Sequence, residues 1–123
     1  MSVISKLFVD PSDVSGALAA RDSVTNAITA YAGGGQTNAT VLTSSINRVT
    51  TVASANDSVK LPAATAGARV DVINATATNS MNVYPASGEY MNATQNGAFG
   101  VAAAKSASFI CAVAGTWNTL YSA

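Results

Sequence analysis

The chain contains no histidine, one cysteine and little charge. Without an imidazole, neither a Ser-His-Asp nor a Cys-His nucleophile pair can be assembled, and the commonest zinc and copper ligand is missing. Cys111 is alone, so no intrachain disulfide forms and the redox compartment stays open. It lies in the apolar run Phe109 to Val113, which reads as a strand buried on both faces. There the thiol serves as a small hydrophobe, since a reactive thiolate needs an accessible, electropositive setting.

Lys and Arg number six, Asp and Glu also six, and together they make 10% of the chain. An average soluble domain carries about 25%. The basic residues are scattered, so no nucleic-acid partner is expected. The first ten residues, Met1 to Asp10, hold one lysine and no sustained apolar run, which predicts neither a signal peptide nor a membrane partner. Asp10, Asp13, Asp22, Asp57, Asp71 and Glu89 show no Asp-x-Asp or Glu-x-x-Glu spacing. Asp57 and Asp71 read as turn and surface positions. The expectation is therefore a non-enzyme, with no catalytic, cofactor-binding or metal residues and no cofactor.

Gly34-Gly35-Gln36 matches the tripeptide that release factors use to trigger peptide hydrolysis. Those are basic RNA-docking proteins, and this chain is neutral, so Gly33–Gly35 reads as a flexible joint. Aromatics are sparse at 7%. Tyr84, Tyr90, Trp117 and Tyr121 could line a carbohydrate-binding face, but core or subunit-interface packing is the expected use.

What the chain does have is one repeated phrase, a short alternating run closed by Gly, Asn, Ala or Pro. It occurs at Arg48–Val52, Ser58–Pro62, Arg69–Ile73, Met81–Tyr84, Ser108–Val113 and Trp117–Tyr121. Short strands at this spacing predict an all-β fold, a compact sandwich or barrel of short antiparallel strands. The Asn56-Asp57 pair tolerates positive φ, which predicts a hairpin joining 49–52 to 58–61. Ala66-Gly67, Pro85 to Gly88 and Ala114-Gly115 read as further turns.

Residues 1–35 differ in character and are assigned to an N-terminal arm ending in the glycine joint, with a β domain at 36–123. Asp10 as N-cap and Pro11 at the first helical position predict a short helix over roughly 11–22. Ile28 to Ala32 then alternates as a strand does. The apolar fraction is 49%, but alanine is its commonest member and large side chains are few. So lean a core favours burial of further surface against copies of the same chain.

The order of phrases carries a resemblance. Gly33-Gly34-Gly35-Gln36 leads to Ile46-Asn47-Arg48-Val49-Thr50-Thr51-Val52 and to Asp57-Ser58-Val59-Lys60-Leu61-Pro62. Ala66 to Ala75, Asn82 to Gly88 and Ala114 to Asn118 follow. Over roughly residues 28–123 this resembles small structural proteins of tailed-bacteriophage virions, of the capsid decoration (cement), head-fibre and tail-fibre kinds. The resemblance implies a β-rich homotrimer on the outer surface of the capsid. It binds the major capsid protein and stabilises the head against internal pressure. The arm is the expected capsid-binding element, with Leu7, Phe8, Val9, Val14 and Leu18 as its contacts. The alternative is a tail-fibre or head-fibre module whose partner is a host surface receptor such as a glycan. The chain shows no coiled-coil or repetitive shaft, which favours decoration.

Overall fold

The computed structural model describes residues 21–121. They form an all-β fold with no helix among them. The strands are β1 (Val24–Thr29), β2 (Thr40–Val41), β3 (Ile46–Thr51), β4 (Asp57–Lys60), β5 (Arg69–Asn74), β6 (Met81–Tyr84), β7 (Tyr90–Met91), β8 (Thr94–Gln95), β9 (Phe99–Val101), β10 (Ser106–Val113) and β11 (Thr116–Tyr121). A seven-stranded large sheet runs β1-β3-β5-β10-β11-β7-β8, and a four-stranded small sheet runs β2-β4-β6-β9.

The expected antiparallel pairing gives way to a coil in the first half of the domain. β1, β3 and β5 pair in parallel in the large sheet, and β2, β4 and β6 do so in the small one. Each strand's successor therefore lies in the opposite sheet. Equivalent residues recur roughly 19 to 25 positions apart, the period of a short solenoid. Parallel neighbours normally need a long crossover, usually a helix. Here a strand of the other sheet is the crossover, so short spacing is compatible with parallel pairing.

The hairpin expected at Ala53–Asp57 is accordingly a corner between sheets. Asn56 does adopt positive φ (73°), but the strands on either side of it are not neighbours. Between the named strands, antiparallel pairing enters only afterwards. β9 closes the small sheet against β6; β10 pairs with β5 and then with β11, to which a turn at Gly115 (φ 88°) joins it.

Alternation buries one side of each sheet. Val49, Val70, Val72, Phe109 and Trp117 from the large sheet meet Val59, Met81, Val83 and Val101 from the small one. Phe99 stands edge-on to Phe109 across the layers, with ring centroids 5.8 Å apart. β10 is buried on one side rather than both: Phe109 and Cys111 point inward, while Ala112 and Val113 are exposed.

The arm assignment also needs correction. β1 falls within 1–35 yet pairs with β3, and Ile28 and Ala30 belong to the buried set. Of the helix expected over 11–22, only Arg21 and Asp22 are described, and neither lies in a regular element. The rest of that segment lies outside the described residues.

The glycines are a built turn rather than a flexible joint. Gly33, Gly34 and Gly35 all take positive φ. A Cβ on Gly34 would sit 2.7 Å from the carbonyl oxygen of Asn56, whereas one on Gly35 would meet nothing within 4 Å. Gly35→Ala is therefore expected to cost only the left-handed backbone penalty, about 1–2 kcal/mol. Gly34→Ala should lose about 1–3 kcal/mol more through the clash. Urea denaturation of the two variants checks the difference.

Candidate functional site

The expected capsid contacts Leu7, Phe8, Val9, Val14 and Leu18 lie outside the described residues. What the structure does fix is where that segment joins the domain, at Arg21 just ahead of the edge strand β1.

The loop after β1 folds over the outer side of the small sheet. Tyr31 bridges Ser58 through paired backbone bonds of 2.8 and 3.1 Å. The Ser58 hydroxyl donates to the Gly35 carbonyl at 2.7 Å. Gln36 then reaches the far end of the sheet, its Nε2 donating to Pro85 O at 2.8 Å and to Asn96 Oδ1 at 3.0 Å. Ser58 is completely buried under this strap. Gln36 is thus a clamp on the small sheet, a role that no local motif announced.

Asp57, read from sequence as a turn residue, opens β4 directly after the turn and is buried. Its Oδ1 accepts the Gly33 N–H at 3.2 Å and its Oδ2 accepts the Ser54 N–H at 3.1 Å. One carboxylate therefore ties the glycine turn to the β3–β4 corner. Glu89 acts differently, with both oxygens on the single N–H of Ala64, at 3.0 and 3.1 Å. Asp71 is half-buried on the outer face of the large sheet. It accepts a hydrogen bond from Ser108 Oγ and pairs with Arg69 Nε at 3.5 Å, while Arg69 Nη2 also donates to Ser108 at 3.2 Å. The three side chains close on one another, which suits a polar seam between β5 and β10.

The aromatic residues divide. Trp117 is fully buried, and its indole N–H finds no acceptor among the described residues. Tyr121 sets its ring edge-on against Phe99 at 5.3 Å, and its hydroxyl accepts the Ala102 N–H at 2.6 Å. Tyr84 is half-buried on β6, and Tyr90 is exposed on β7. A glycan platform made of all four is therefore not assembled, because Trp117 lies in the core. Cys111 is buried, with its thiol donating to Val113 O. No group of three or more metal-ligating side chains occurs among the described residues.

Comparison with protein-family models, with curated proteins and with solved structures finds no match to this chain.

The two carboxylates make opposite predictions. Asp57→Asn leaves one of two backbone N–H groups facing an amide donor, and should cost about 1–3 kcal/mol. Glu89→Gln keeps an acceptor for the one N–H it serves, and should cost less than about 1 kcal/mol. Thermal unfolding followed by circular dichroism separates the two.

Proposed function

We propose that this chain is a capsid decoration protein of a tailed bacteriophage. It binds the major capsid protein on the outer surface of the head as a homotrimer and stabilises the head against internal pressure. The order of sequence phrases carries the reading. The resemblance runs through roughly residues 28–123, the stretch that holds nearly all the strands. The fold supports the reading in two respects. A small two-sheet unit with pinned corners suits a load-bearing part, and a surface low in charge leaves little to desolvate on contact.

The mechanism is mechanical. The arm, residues 1–20, ties the domain to the lattice, and the domain spans neighbouring capsid subunits. A specific contact of about 800 Å² per partner is ordinary. Repetition over the shell multiplies it through effective concentration.

Two measurements test the reading. Quantitative mass spectrometry of purified virions should find the chain in fixed proportion to the major capsid protein. A few copies per particle would instead favour a head-fibre or tail-fibre module facing a host receptor. Deleting residues 2–20 should abolish co-sedimentation with undecorated heads while the β-rich dichroism and cooperative melting persist. Retained binding at full affinity would remove the arm from the mechanism. The cut must stop short of Val24, because β1 is part of the large sheet.

A further inference from the structure

The sequence holds one Asn-Gly pair, Asn96-Gly97, and the Gln36 strap is fastened to it. A glycine after asparagine leaves the following peptide nitrogen unshielded, because glycine has no Cβ. That nitrogen can then attack the asparagine side-chain amide. Asn96 is exposed, so hydroxide and water reach it. Its Oδ1 accepts from Gln36 Nε2 at 3.0 Å and from the Gly88 N–H at 2.7 Å. The Gly97 N–H donates to Thr94 O at 3.2 Å, and the Asn96 N–H to Glu89 O at 2.8 Å.

Two features of this arrangement oppose each other. Donors on Oδ1 would steady the negative charge of an attacked amide. Backbone geometry works against the attack, and it decides the outcome. Asn96 has φ 54°, and a non-glycine residue in that region takes ψ of about +30 to +60°. Ring closure needs Cβ eclipsed with the Gly97 nitrogen, and this ψ turns the two nearly opposite. The attacking nitrogen is also engaged with Thr94 O. The folded turn therefore holds the reacting atoms apart, and it must open locally before they meet.

We propose that Asn96-Gly97 is a latent deamidation site that the Gln36 strap keeps closed. On opening, the Gly97 nitrogen gives its proton to hydroxide and bonds to Asn96 Cγ. The Cγ–Nδ2 bond breaks, and Nδ2 leaves as ammonia. Water then opens the cyclic imide at either carbonyl, leaving aspartate or isoaspartate. Aspartate keeps an oxygen for both donors. Isoaspartate lengthens the main chain by one carbon. The turn has no slack for it, because Thr94 side-chain carbons lie 2.8 Å from where a Cβ on Gly97 would sit. An isoaspartate copy cannot refasten Gln36, so one opening of the strap leaves a permanent mark. This chemistry is independent of what the chain binds.

The test is peptide mapping by mass spectrometry of the full chain held in weakly alkaline buffer. Wild type in urea should deamidate first at Asn96. Folded wild type should do so at least about tenfold more slowly, the factor set by an opening that costs about 1.4 kcal/mol. Gln36→Ala loses one of the two hydrogen bonds to Oδ1, and should react about two- to tenfold faster than folded wild type. Its dichroism and melting curve certify that it is folded, and the wild-type comparison stands without it. Hydrogen exchange over residues 31–36 should be faster in the isoaspartate fraction than in the aspartate fraction. Another asparagine reacting first in urea, or folded wild type matching its urea rate, overturns the proposal. So does Gln36→Ala matching folded wild type, or equal exchange in the two fractions.

Discussion

Stacking a chain in parallel coils forces it to turn from one sheet to the other at every corner, and at a corner the backbone has no ladder to satisfy it. Buried peptide groups must find partners somewhere. Asn74 supplies them at the β5–β6 corner. Its Nδ2 donates to Asn79 O at 2.9 Å and to Val101 O at 3.0 Å, while its Oδ1 accepts from the backbone N–H and the hydroxyl of Thr76. All the bonds an amide side chain can readily make are used. Asn79 continues the series by donating to Val52 O and Ala53 O of the preceding coil. Asn47 spans its own corner and the next coil through Ser44 O and Asp71 O. These amides set how one coil sits on the next, and the position of every strand follows from that.

Coil stacking also explains how so lean a composition supports a core. Val59 lies beside Val83, and Val83 beside Phe99, so a single inward column is built from one position of successive strands. Val70 lies beside Phe109 in the facing sheet. Fully burying a side chain of this size contributes about 1.5–3 kcal/mol, and the column makes each one a neighbour of the next. Among the described residues, only Phe109 and Trp117 bring large rings completely inside. Alanines fill buried positions too, as at Ala30 and Ala107.

Much of this was legible in the sequence and some could not be. The strand at Met81–Tyr84 matches its expected bounds, and the turns at Asn56, Gly67 and Gly115 all take the positive φ that their residue types allow. Local alternation encodes which residues of a strand share a side, and Val70 with Val72 and Met81 with Val83 are buried together as it requires. It does not encode which strand lies alongside, so parallel coils and antiparallel hairpins read alike over single segments. Gly33–Gly35 misled because glycine is equally suited to a slack linker and to a tight turn of positive φ, in which Gly34 also has no room for a Cβ. Asp57 was the missing signal, since its carboxylate fixes that turn from 24 residues away. The run Phe109 to Val113 misled in the same way, because an apolar Ile110 on the half-buried outer side looks like a second buried face. The arm contacts lie outside the described residues, so sequence remains their only argument.

A coil of parallel strands has a physical tendency to grow by adding another layer at its open end. This chain suppresses that tendency at both ends. The antiparallel strands β9 and β10 interrupt the coil after β6. The bulge at Ala27 and the two-residue β2 blunt the other end, where the Thr40 hydroxyl also occupies the carbonyl of Thr29 at 2.8 Å.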